Sequence, residues 1–158
     1  MIKTAHISPC QRYRYLLSRE WDSSLPTVGF VGLNPSTADA TLDDPTIRRC
    51  IGFAQSWGYG ALHMVNLFAF RATKPEVMLH VPDPVGPDND RWLLEVTHSC
   101  ALVVAAWGNK GGHGGRDAQV RRLLPALSVI QLTRAGKPQH PLYLPGHLRP
   151  KPWVAGHG

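Results

Sequence analysis

The sequence predicts an α/β protein, with a parallel β-sheet covered by helices on both faces. Three observations carry that reading. Four short runs, "TVGFVGL" (27–33), "ALHMVNLFAF" (61–70), "ALVVAAWG" (101–108) and "LSVIQLT" (127–133), are apolar on both alternations, as strands buried on two faces are. Segments with helical spacing separate them, and such alternation gives parallel neighbours joined by right-handed crossovers. The length of 158 residues and 43% hydrophobic content suit one domain with a single core.

Taken in order, residues 1–26 contain "RYRYLLSREW", read as an extended segment at the sheet edge. After the first apolar run comes "DDPTIRRCIGFAQSWGYG", a helix with Asp44 as N-cap, Pro45 at the first helical position, Ile47, Ile51 and Ala54 on one face, and Gly58 to stop it. "DNDRWLLEVTHSC" is the second expected helix and "GRDAQVRRLLPAL" the third, with Pro125 near its end. Residues 134–158, "RAGKPQHPLYLPGHLRPKPWVAGHG", are dense in Pro and Gly and predict an irregular segment and tail.

Composition excludes several classes. Cys10, Cys50 and Cys100 are odd in number and widely spaced, without the pairing of a disulfide framework or a zinc or iron–sulfur site. The longest apolar run, "ALVVAAW", is too short to span a membrane, and "MIKTAHISPC" lacks a signal-peptide core, so cytoplasmic residence is the expectation. The formal net charge of +6 favours a polyanionic partner, although a solvated basic surface has the same charge.

Open parallel sheets bind ligands at the carboxyl ends of their strands. That rule sets four polar loops on one rim: Asn34, Pro35, Ser36 and Thr37 after the first strand, Asn66 in the second, "GNKGGHGGR" after the third, and "GKPQHPLYL" after the fourth. Each has a plainer reading. Asn-Pro-Ser-Thr serves equally as a turn and cap, Asn66 as a satisfied core amide, and the Gly-rich loop as a flexible connection.

The residues also carry a resemblance. "GLNPS" (32–36) resembles the first motif of the uracil-DNA glycosylase superfamily, nearest its mismatch-specific and single-strand-selective branches. "VVAAWGN" (103–109) is similar to that superfamily's third strand, and "HPLYL" (140–144) to its second motif. The wider pattern "LNPSTAD", "DDPTIRRC", "NLFAFRAT" and "HPLYL" also resembles a bacterial and phage family catalogued as a domain of unknown function, number 1643. The superfamily resemblance implies a three-layer α/β/α sandwich with a four-stranded parallel sheet and a DNA-facing rim, in one domain over residues 1–158.

The implied activity is a monofunctional DNA glycosylase that flips a modified pyrimidine and leaves an abasic site. On that resemblance Asn34 holds the attacking water in place of an Asp, and His140 donates to the base oxygen. Gly32, Leu33, Pro35 and Ser36 line the base pocket, Asn66 reads the pyrimidine edge, and Phe68, or else Phe30, stacks on the base. Leu142, Tyr143 and Leu144 supply a wedge into the vacated stack. Lys110, Arg116, Arg149 and Lys151 stand where phosphate contacts are needed, because Leu142 and Tyr143 replace the motif's Ser and Pro. Ser36 replaces the Tyr that closes the uracil-specific pocket at C5, so 5-substituted pyrimidines are admitted, among them glucosylated hydroxymethylcytosine of phage DNA in an antiviral role. The expectations are DNA as partner, double- or single-stranded, no cofactor, no metal, no membrane, and a monomer. Two alternatives stay open: a non-catalytic nucleic-acid-binding module on this fold, and a hydrolase or transferase acting on modified nucleotides or RNA through Asp39, Asp43 and Asp44. Those aspartates also read as helix-terminus residues.

Overall fold

A computed structural model describes residues 1–154, so the end of the predicted irregular tail, 155–158, lies outside the described residues. Seven strands are formed: β1 (Ile2–Ile7), β2 (Arg14–Glu20), β3 (Thr27–Gly32), β4 (Ala61–Asn66), β5 (Leu102–Ala105), β6 (Ser128–Val129) and β7 (Lys151–Pro152). The helices are α1 (Pro45–Ser56), α2 (Pro75–Leu79), α3 (Asn89–His98) and α4 (Arg116–Leu123). The strands make one mixed sheet in the order β1-β2-β4-β3-β5-β6-β7.

This corrects the expected four-stranded parallel sheet. β3 pairs in parallel with β4 and β5, and β5 with β6, but β1, β2 and β7 add antiparallel partners on both sides. The physical reason lies in how each missed strand is buried. β1 alternates exposed and half-buried residues because it is the outer strand, so it lacks the double-sided apolar run of a buried parallel strand. β2 is not the edge either: it lies between β1 and β4, with Arg14 and Arg19 buried in its length. β7 is a two-residue strand inside the Pro-rich tail, paired to β6 where Val129 meets Lys151. The apolar runs also overshoot their strands, since β4 ends at Asn66 and β6 holds only Ser128 and Val129.

The helices fall on both faces. α1 packs Ile47, Phe53 and Ala54 against Val28, Phe30, Leu62 and Val104 on one face. α3 and α4 set Leu93, Val96, Val120 and Leu124 against Val31, Val65, Ala105 and Val129 on the other. The helix starts follow their local chemistry. Asp44 accepts the Ile47 N–H at 2.8 Å as N-cap, Pro45 follows where no N–H is needed, and Gly58 takes φ +88° beyond the last turn. No helix among the described residues is long and apolar enough to cross a membrane.

Candidate active site

The corner after β3 is held by hydrogen bonds to the chain that leaves β4. Leu67 N–H donates to Gly32 O at 2.9 Å and Phe68 N–H to Leu33 O at 3.0 Å. Pro35 fixes its own φ, and Ala72 N–H donates to Pro35 O at 3.0 Å. Asn34 completes the tie: its Nδ2 donates to Ala72 O at 2.9 Å and to Pro35 O at 3.1 Å. With the NH₂ end so engaged, the amide has one sensible orientation, and Oδ1 remains an acceptor without a partner among the described residues.

Beside this corner lies a cavity of about 350 Å³, the size of a small-ligand site. Its walls include Asn34 and Ser36 from the corner, Asn66 from the end of β4, Trp107 after β5, and His140 from the segment after β6. Asn66 is 3% exposed and its Nδ2 has no partner among the described residues. A Cβ on Gly32 would stand 2.8 Å from Asn66 Oδ1, so the missing side chain at Gly32 is what makes room for this amide. The backbone that carries it is clamped, with Asn89 Nδ2 donating to Asn66 O at 3.0 Å and Leu67 O at 3.1 Å.

His140 caps the 3₁₀ turn Pro141–Tyr143, its Nδ1 accepting the Leu142 N–H at 3.2 Å. A ring that accepts at Nδ1 and is neutral carries its proton on Nε2, which is then a donor. Burial pushes the His140 pKa below its ordinary value, with the negative charge of Asp44 opposing, so the neutral ring is the form present at pH 7. A fixed acceptor, a neutral donor and an amide thus share one partly enclosed cavity. Such a set can position a water and stabilise negative charge on a departing group. No group of three or more His, Cys, Asp or Glu side chains that could hold a metal is found among the described residues.

The remaining sequence-predicted residues divide by location. Gly32 and Leu33 line the cavity, while Pro35 is buried behind it. Leu142 and Tyr143 also line it and are 37% and 76% exposed, so they stand at the mouth. Phe68 and Phe30 do not line it: both are core, 1% and 0% exposed, on opposite faces of the sheet. Leu144 is likewise buried, against the α1 face, which leaves no wedge surface there. Arg116 is 2% exposed and turned inward. Its Nε donates to Leu67 O at 2.8 Å, Nη1 to Gln119 Oε1 at 2.6 Å and Nη2 to Asp90 Oδ1 at 2.6 Å. With a partner on each nitrogen and the side chain buried, Arg116 does not face a phosphate in this arrangement. Lys110 is exposed but paired with Glu76 at 3.0 Å, whereas Arg149 and Lys151 are exposed and outside the cavity wall.

Residues 14–142 match a family described as a protein of unknown function (DUF1643). The chain belongs to that family. The matched stretch begins on the first residue of β2 and ends in the turn capped by His140, so it holds most of the cavity wall and omits β1 and β7. No curated protein matches the chain, and no solved structure does.

One charged wall residue of this DUF1643 member escapes sequence reasoning. Arg14 comes from the antiparallel strand β2, and no local signal ties it to a rim built by parallel strands. Asp44 is visible as an N-cap and serves as one, but it also lines the cavity, because α1 opens directly beside the corner. Its neighbours do neither: Asp43 pairs with Arg19 and Lys3 at 2.7 and 3.1 Å, and Asp39 accepts the Thr41 and Leu42 N–H groups.

Proposed function

We propose that this protein is a monofunctional DNA glycosylase acting on a flipped pyrimidine with a substituent at C5. The observation that carries the reading is the joint presence of Asn34, with its Oδ1 free and its amide fixed, and neutral His140, with Nδ1 occupied, on one cavity that Asn66 also lines. The resemblance of "GLNPS" and "HPLYL" to uracil-DNA glycosylase motifs supports it independently. Asn34 Oδ1 accepts a hydrogen bond from water and aims it at C1′. The C1′–N1 bond breaks with its electron pair leaving on the base, and His140 Nε2–H stabilises the negative charge at the base oxygen. The water's hydroxyl ends on C1′ and its proton on the base, so no co-reactant is consumed.

An amide cannot take a proton as a carboxylate does, so the enzyme depends on a good leaving group and is slow. Ser36 leaves the pocket open at C5, which suits hydroxymethylcytosine, its glucosylated form in phage DNA, and thymine. The charge of +6 supports a DNA partner. A second reading, hydrolysis of a free modified nucleotide, rests on Asp44, a carboxylate on the same cavity. The test incubates the protein with oligonucleotides carrying uracil, a thymine mismatch, hydroxymethylcytosine or glucosyl-hydroxymethylcytosine, with the corresponding free nucleotides alongside, then cleaves abasic sites with alkali. Strand cleavage that falls about 10²–10³-fold in Asn34→Ala and in His140→Ala is the expected result. Intact strands throughout, with the nucleotides consumed, would replace the first reading by the second; intact strands with DNA still bound would leave a binding module.

A further inference from the structure

β2 carries two buried arginines with opposite fates. Arg19 is 0% exposed and all three guanidinium nitrogens are engaged: Nε with Asp43 at 2.7 Å, Nη1 with Ser18 O at 2.9 Å, and Nη2 with Asp39 O and Leu42 O at 2.5 and 3.1 Å. That is how a buried guanidinium is ordinarily accommodated. Arg14 is 3% exposed and makes one side-chain hydrogen bond among the described residues, from Nη1 to Ala38 O at 2.9 Å. Its Nε is buried with no partner, it makes no ion pair within 4.0 Å among the described residues, and it lines the cavity. Burial lowers its pKa to about 10, which leaves it charged at neutral pH. A buried charge left so incompletely satisfied on a cavity wall calls for a ligand atom.

Its surroundings define that ligand. The carbonyl that Arg14 holds, Ala38 O, lies two residues beyond Ser36, the small wall residue that the uracil-DNA glycosylase resemblance sets beside C5 of the base. Asp44 lines the same cavity, uses one oxygen to cap α1, and has no hydrogen-bond partner for the other among the described residues. An anionic ligand group would be attracted by Arg14 and repelled by Asp44. A neutral hydroxylated group uses both, its oxygen accepting from the guanidinium and its O–H donating to the carboxylate.

We infer that Arg14 and Asp44 form a subsite for a neutral, hydroxyl-bearing substituent on the base, and so determine which 5-substituted pyrimidine is taken. The subsite rests on the glycosylase reading for its orientation to the base; its binding chemistry does not.

The test measures two quantities on single-stranded oligonucleotides with one cytosine, one hydroxymethylcytosine or one glucosyl-hydroxymethylcytosine. Abasic sites are counted with the otherwise unaltered protein, and equilibrium binding is measured in an Asn34→Ala background. Arg14→Gln is expected to reduce the preference for the glucosylated over the unsubstituted strand by about tenfold or more, the factor that one lost hydrogen bond to a buried charged group is worth. Asp44→Asn retains a side-chain oxygen for the Ile47 N–H and so keeps the helix cap; it is expected to reduce the same preference even if Arg14→Gln does not fold. If the glucosylated strand binds more tightly, both variants erase the difference and no abasic site forms on any strand, the subsite stands and the glycosylase reading falls. Equal losses on all three strands, or no preference to begin with, would overturn the subsite whether or not abasic sites form.

Discussion

Two polar loops leave parallel strands on the same rim, and they have opposite construction. The corner after β3 turns its polar groups toward the cavity: Asn34 Oδ1 stays free, Ser36 is half-buried on the wall, and Asp44 follows at the head of α1. The Gly-rich loop after β5 leaves Asn109, Lys110 and His113 exposed but turns its other polar groups into the protein. Arg116 is spent on Leu67 O, Gln119 and Asp90, Asp117 on Lys137 at 3.0 Å, and Gly108 N–H on Pro138 O at 2.7 Å. The second loop therefore acts as a buttress. Through Leu67 O it braces the chain just after Asn66, and through Pro138 it braces the segment that leads to His140. A basic, Gly-rich sequence resembles a phosphate-binding loop, yet here its Arg116 completes a buried carbonyl and its Gly111 makes room for Trp107 and Leu67.

Two alanine substitutions would break that contrast most sharply. A Cβ at Gly32 would stand 2.8 Å from Asn66 Oδ1, so Gly32→Ala must displace the site amide. The expected loss is about 10²-fold in abasic-site formation, the cost of an ångström-scale misplacement, with a small change in melting temperature. At Gly111 a Cβ would stand 2.6 Å from Trp107 Cδ1 and 2.8 Å from Leu67 Cδ1, both in the packed core. Gly111→Ala is expected to cost about 1–3 kcal/mol of stability by overpacking, read by urea unfolding, with activity per folded molecule largely kept. Had the second loop been the ligand-binding element, the two results would exchange places.

The same contrast shows what the sequence could reveal. Strand cores were legible because Val28, Phe30 and Val31, like Leu62, Met64 and Val65, are apolar on both faces. Asn34, Asn66 and His140 were legible because motif order along the chain marks them and the topology brings them to one cavity. Arg14 and Arg116 were not, since a formal charge in sequence reads as solvent-facing, and only the folded chain reveals that Arg116 completes a buried carbonyl while Arg14 keeps a buried Nε without a partner among the described residues. β1 and β2 were invisible as sheet partners for a related reason: an edge strand with one wet face and a strand with two buried arginines lack the double-sided apolar signal.

An intermediate effect separates the site from its support by pH. Burial lowers the His140 pKa below the ordinary histidine value of 6.5, so below that pH the unfolded chain takes up a proton that the native ring still refuses. The native state then binds fewer protons, and its contribution to stability is full above about pH 6.5 and is lost as pH falls through the lowered native value. Protonation also removes the Nδ1 acceptor of the Leu142 N–H. Activity should hold from pH 8 to near neutrality and decline on an acid limb lying below 6.5, and His140→Ala should abolish that limb along with most of the rate. An acid limb unchanged in its midpoint in His140→Ala would assign it to another group.

The smallest effect belongs to Lys110, a residue of the buttress loop that faces water. Its ammonium pairs with Glu76 at 3.0 Å, with the two side chains 55% and 64% exposed. Such a pair contributes little and weakens with salt, because both partners are well solvated and lose side-chain entropy to meet. Lys110→Ala is therefore expected to leave the melting temperature nearly unchanged. Its effect on DNA affinity separates the two possible uses of the charge. A lysine held for structure alone leaves the salt dependence of DNA binding unchanged. A lysine that exchanges Glu76 for a phosphate lowers the slope of log K against log salt by about 1. The buttress reading expects the first result, and the second would return this single residue of the loop to the nucleic-acid interface while leaving Arg116 inside the protein.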